Sequence, residues 1–193
     1  RLISDDLVDN PIDVAFIQVA RTDDPAVFSP GMNADYVDSI LANARCIVAE
    51  VNAQVGAPRD APAIPAERID YLVEADYALE AYNLVEPTEA AVAIGRHVAS
   101  LIKDGDCVQS GIGAIPYAVM AQLTEKNDLG LHSGIIDDAA KMLVDMGVMT
   151  GARKNREPAK HVAASALGTP EFYAWTATHP DVQLRPYSFT HDA

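Results

Sequence analysis

Residues 107–139, CVQSGIGAIPYAVMAQLTEKNDLGLHSGIIDDA, decide the fold. The stretch opens on a short β-favouring run, Cys107-Val108-Gln109, and turns at Gly111-Ile112-Gly113. Pro116 follows where a helix would take its first residue, and Tyr117 to Leu123 is an apolar helical run. A second strand-like run, Leu129-Gly130-Leu131, then delivers His132, Ser133 and Gly134 to its C-terminal end. Strand, glycine loop, helix and strand make a unit that aims backbone N–H groups at an anion or a developing oxyanion. Two glycines let a ligand approach the backbone, and proline has no N–H to leave unpaired at a helix start. Glycines between a strand and a helix also serve as plain turns, so the loop fits either role.

Outward from this centre, the chain reads as α/β. DVAFIQVA, residues 13–20, has the continuous apolar character of a strand buried on both faces. Tyr36, Ile40 and Ala44 recur at helical spacing, and residues 46–51 form the next apolar strand, ending at Asn52. Two strands flanking a helix predict a parallel sheet here, with Glu50 and Asn52 near the strand end where open α/β sheets place ligands. Residues 53–66 carry three prolines and no periodicity, and Glu74, Asp76, Glu80 and Glu86 give the next segment an acidic, solvated face. A domain boundary is expected near Val85. Beyond it, Thr88 caps a helix whose apolar stripe is Ala91, Ile94, Val98, Leu101 and Ile102, with His97 beside it as a surface residue. Asp137 and Asp138 start a helix that faces inward through Ala139, Met142, Leu143 and Met146 and stops at Gly147. Residues 162–167 read as a strand, Thr169-Pro170-Glu171 as a capped helix start, and residues 182–189 as a last strand.

Composition bounds the function. The 193 residues are 49% hydrophobic and 22% charged, ordinary for a globular chain large enough to bury a core. A net charge of −14 makes nucleic acid an unsuitable partner. No apolar run reaches the roughly 18–20 residues of a membrane span, so no membrane association is expected. Cys46 and Cys107 lie in apolar contexts and read as buried, reduced thiols of a cytoplasmic protein. No Cys/His spacing suggests a metal. Arg153, Lys154, Arg156 and Lys160 gather in an otherwise acidic chain, which fits an anionic ligand, an acidic partner or a solvated loop. A first residue other than Met, and an end just past a strand, are expected of a piece of a longer chain.

Taken in order, DVAFIQVA, AEVNAQV, IDYLVEAD, IGRHVASLIKDGDCVQSGIGAIPYAV, DLGLHSGIIDDA, GVMTGARK and LGTPEFYAW resemble the acetyl-CoA hydrolase/transferase family, which includes 4-hydroxybutyrate CoA-transferase. The resemblance implies parts of two similar open, mostly parallel α/β domains: the end of the N-terminal one in residues 1–85 and the first part of the C-terminal one in residues 86–193. It implies coenzyme A, carried as acyl-CoA, on the loop of Gly111, Ile112, Gly113, Ala114 and Ile115, with the Ile112 N–H holding the thioester oxyanion. Small carboxylic acids are the implied partners, in a homo-oligomer. Family members attack the thioester with a glutamate in a His-Thr-Glu-Met segment. The matching residues are His132, Ser133, Gly134 and Ile135, so the nucleophile position carries no side chain. Attack is then expected from water or the acceptor carboxylate, activated by His132 or by a group outside these residues, with Ser133 as an alternative nucleophile. A catalytically silent acyl-CoA binder or partner subunit is the second hypothesis. A dinucleotide module is the third, though Pro116 stands where its fingerprint needs glycine.

Overall fold

A computed structural model describes residues 2–82 and 86–191; the expected boundary at Val85 lies outside the described residues. The first helix, α1, is Leu2–Asp9, and the chain then enters a five-stranded sheet. Its strands are β1 (Ile12–Arg21), β2 (Val27–Ser29), β3 (Ala44–Asn52), β4 (Ile64–Pro65) and β5 (Tyr71–Ala75), in the order β4-β2-β1-β3-β5. As expected of two strands around a helix (α2, Val37–Asn43), β1 and β3 are parallel, and β5 joins β3 in the same sense. The short strands β2 and β4 run antiparallel at the edge.

One face of this sheet is packed and the other is not. Val19, Ile47, Ala49 and Val51 form a core with Phe28, Val37, Leu41 and Ile64. The opposite face pairs Phe16 with Val48 and Val48 with Tyr71 across the three parallel strands. Phe16 is 80% exposed there and Tyr71 64%. The expectation that residues 13–20 are buried on both faces is therefore corrected: β1 has the composition of a two-sided strand, but a single layer packs on it among the described residues.

The second sheet is wholly parallel, with β6 (Cys107–Val108), β7 (Gly130–Ile136), β8 (His161–Ala166) and β9 (Val182–Leu184) in chain order. Helices α3 (Glu89–Leu101), α4 (Ala114–Met120), α5 (Asp138–Asp145) and α6 (Pro170–Thr178) accompany it. Their starts follow local chemistry: the side chains of Thr88, Asp137 and Thr169 accept hydrogen bonds from the N–H groups of Ala91, Ala140 and Phe172. The buried face of α3 is Ala91, Gly95 and Ala99, not the larger apolar stripe. A Cβ on Gly95 would come within 2.6 Å of the Ala118 carbonyl oxygen, so close approach of α4 selects the small residues and leaves Ile94, Val98 and Leu101 outward. On α5 the same correction applies to Met142 and Met146, which are exposed while Ala140 is buried. Cys107 is exposed and Cys46 half-buried, both free, because β6 is an edge strand and β3 presents Cys46 to the open face.

The two sheets are tied by backbone. Ala34 N–H donates to Ala164 O at 2.9 Å and Ala166 N–H to Met32 O at 2.8 Å, so residues 32–34 continue along β8 beyond the point where β9 leaves it. Gln183 adds a hydrogen bond to Asp60 at 3.1 Å.

His161 opens β8 almost fully buried, 3% exposed, with Nδ1 unpartnered among the described residues. Burial, helped by nearby His179, Lys154 and Lys160 and opposed by the Asp181 carboxylate, lowers its pKa to about 4. Between pH 6.5 and 4 the unfolded chain takes up a proton that the folded chain refuses, so stability falls as pH drops through that window. The loss approaches about 3 kcal/mol by the lower end. His161→Gln is expected to flatten this acid limb in denaturant titrations between pH 7 and 4; an unchanged pH slope would contradict it.

Candidate functional site

The chain leaves β6 at Val108 and forms its glycine loop before α4. Gly113 holds φ 123° and ψ 177°, a conformation that side chains rarely adopt. Helix α4 starts at Ala114, so Pro116 is its third residue and not its first; in the first turn its missing N–H still costs no hydrogen bond. The N–H groups of Gly111, Ile112 and Gly113 have no partner among the described residues. Ile112 is 54% exposed. Beside the loop lies a groove of about 410 Å³, lined by Val98, Ile102, Val108, Ile115 and Val119 of β6, α3 and α4 and the chain next to them, with Gln109 and Ser110 supplying polar groups.

The strand β7 does not end at Leu131. It runs on through His132, Ser133 and Gly134 to Ile136, in register with β8 from His132↔Val162 to Ile136↔Ala166. Ser133 is fully buried. Its hydroxyl donates to Ser110 O at 3.0 Å and accepts from Ser110 N–H at 3.1 Å, with Ile135 N–H at 3.3 Å. This hydroxyl latches the glycine loop to the sheet, and its lone pairs and proton are engaged with backbone.

His132 and Gly134 are covered by a helix where the sequence pattern predicts strand. After β9 the chain turns at Pro186 into α7 (Tyr187–Thr190). Tyr187 N–H donates to Asp35 O at 2.9 Å, and its ring stacks on Tyr36 at 4.6 Å. Phe189 lies over His132 with ring centroids 5.8 Å apart, and His132 Nε2 is 3.4 Å from the Phe189 carbonyl oxygen. Burial lowers the His132 pKa, which favours the neutral ring. A Cβ on Gly134 would lie 3.1 Å from His191 Cε1 and 3.3 Å from the Tyr187 hydroxyl. Gln109 Nε2 is 3.3 Å from His191 Nε2. The structure thus brings His132, Ser133 and Gly134 to the loop's flank and adds Gln109, Tyr187 and His191. No local signal marks these last three; α7 is placed by Asp35 and Tyr36, far away in sequence.

The basic residues of the cluster turn to separate protein partners. Lys154 is buried, its Nζ donating to Leu131 O at 2.8 Å and Lys160 O at 2.6 Å. Lys160 pairs with Asp181 and Arg153 with Asp128, while Arg156 stacks 3.8 Å above the Phe189 ring. In the first sheet, Asn52 is buried and bound to the Tyr77 backbone through both its amide groups. Glu50 accepts from the Tyr77 hydroxyl and from Gln18, which hold its carboxyl below the usual range.

No family model matches the chain. It is 37% identical over 182 residues to the 4-hydroxybutyrate coenzyme A transferase of Clostridium kluyveri, covering 94% of this chain and 42% of that protein. It is 30% identical over 189 residues to the butyryl-CoA:acetate CoA-transferase of Anaerostipes caccae, again covering 94% and 42%. Among solved structures, RipA from Yersinia pestis matches with a TM-score of 0.89 at 30% identity, over all of this chain and 44% of that one. The 4-hydroxybutyrate CoA-transferase of Porphyromonas gingivalis matches with a TM-score of 0.85 at 31% identity, over 96% and 48%. The chain spans less than half the length of each of these relatives.

Proposed function

The chain is a homologue of the CoA-transferases, and on that premise we propose that it binds acyl-CoA thioesters on the loop of Gly111, Ile112, Gly113, Ala114 and Ile115 and acts on the thioester bond. The reaction is transfer of CoA between carboxylic acids, or hydrolysis. The observation that carries this reading is the loop itself. Three consecutive N–H groups stand unpartnered among the described residues, ahead of Gly113 in its glycine-favouring conformation, latched to β7 by Ser133 and beside an apolar groove. The thioester carbonyl accepts from Ile112 N–H, and that bond strengthens as the carbonyl becomes a tetrahedral oxyanion. A donor placed in this way is worth about 2.7–4 kcal/mol in the transition state. Ser133 acts by holding the loop in place. His132 is turned toward the Phe189 carbonyl beneath the Phe189 ring.

A second reading, a silent acyl-CoA binder, is favoured by one observation: neither Gly134 nor the engaged Ser133 hydroxyl offers a nucleophile. Calorimetric titration with a non-hydrolysable thioether analogue of acetyl-CoA tests what the two readings share. Saturable binding is expected, and tighter than that of an analogue without the carbonyl. Absence of binding would overturn both.

A further inference from the structure

Gly134 faces a side chain, not open space. A methyl group there would lie 3.1 Å from His191 Cε1 and 3.4 Å from His191 Nε2. The imidazole therefore fills the volume that any side chain at position 134 would enter, the position that the resemblance gives to a carboxylate. Its neighbours assign its nitrogens. Nε2 is 3.3 Å from the Gln109 amide nitrogen, a group that only donates, so Nε2 carries the lone pair. Nδ1 then carries the proton and donates to Thr190 Oγ1 at 2.9 Å. Thr190 is buried, and the Tyr187 ring lies against the imidazole with centroids 4.4 Å apart. His191 itself is exposed. A lone pair met only by a long 3.3 Å amide contact on one nitrogen, with a buried hydroxyl fixing the other, is the arrangement of a base and its orienting partner once water takes the place of that contact. Gln109, which touches that lone pair, leads directly into the glycine loop.

Resting on the reading that the thioester lies on the Gly111–Ile115 loop, we infer that His191 is a general base that activates water against the acyl-CoA carbonyl, making hydrolysis the reaction of this site. Exchange through a protein carboxylate needs a side chain at 134, and a carboxylate acceptor needs no base. Water needs one. In the step, the water oxygen bonds to the carbonyl carbon while its proton passes to His191 Nε2. The C–S bond then breaks, and the departing thiolate takes the proton from His191, leaving the carboxylic acid and CoA thiol.

The test follows release of free thiol from acetyl-CoA and butyryl-CoA, with binding of the thioether analogue measured in parallel. His191→Ala is expected to lower kcat about 100-fold or more, leave analogue affinity within a few-fold, and regain activity with added imidazole. His191→Gln, which keeps a polar side chain but cannot shuttle the proton, is expected to be as inactive as alanine. His97→Ala, at an exposed position on α3, is expected to match the unmodified protein. Undiminished turnover in either His191 variant would overturn the inference and leave the loop assignment standing. So would a loss that imidazole does not rescue, or an unmodified protein that binds the analogue but releases no thiol. Failure of the unmodified protein to bind the analogue would instead remove the loop assignment and this inference with it.

Discussion

Replacing Gly113 with valine is expected to abolish acyl-CoA binding while the chain stays folded. At φ 123° a β-branched residue is forced out of the conformation that presents the Gly111, Ile112 and Gly113 N–H groups. The strain of holding it is about 1–3 kcal/mol or more. A Cβ at this position would meet nothing within 4 Å, so the effect is one of backbone conformation and not of packing. Gly111→Ala is the matched control: its φ is not in the positive region, and a Cβ there meets only Pro116, at 3.9 Å. Analogue affinity is expected to fall below detection in Gly113→Val and to stay within a few-fold in Gly111→Ala. Equal affinities in the two variants would show that the loop conformation does not matter for binding.

The largest loss of stability is expected at Phe172. It is fully buried on α6, in the core of the second sheet, with Trp175 stacked at 5.9 Å and Tyr173 tilted at 6.0 Å. Truncation to alanine removes a large apolar side chain from a site that rigid strands prevent from collapsing, a cost of about 3–5 kcal/mol. Against a total stability of about 5–15 kcal/mol this is a large fraction. Met146→Ala, 53% exposed at the end of α5, is expected to stay within about 0.5 kcal/mol of the unmodified protein. Denaturant midpoints of the two variants check this, and similar midpoints would mean that α6 does not seal this core.

What was legible in the sequence is what short-range chemistry dictates. Thr88, Asp137 and Thr169 cap helices where their side chains reach N–H groups three residues on, and Gly147 stops α5 at φ 72°. The α/β alternation and the parallel sense of β1 and β3 follow from the same local patterns. Partner-dependent features were not legible. The large residues of α3 look like core by spacing, yet its small face packs, because the α4 backbone approaches Gly95 too closely for anything larger, and on α5 Met142 and Met146 are exposed while Ala139, Ala140 and Leu143 are buried. His132-Ser133-Gly134 looks like a strand end because polar residues and glycine break the apolar pattern, whereas β8 supplies the pairing that extends β7. Residues 187–189 alternate like a strand but are turned into α7 by Pro186 and the Asp35 carbonyl. For that reason the glycine loop could be found from sequence, while His191 and Tyr187, which close over Gly134, could not.

The central claim, action on an acyl-CoA thioester, is tested most directly by incubating the purified protein with acetyl-CoA, with and without butyrate, and resolving the CoA species by chromatography. The account predicts consumption of acetyl-CoA, with free CoA appearing in the absence of butyrate. Butyryl-CoA in its place would assign the site to exchange and contradict the role given to His191. Acetyl-CoA unchanged under both conditions would contradict the claim that the protein acts on the thioester.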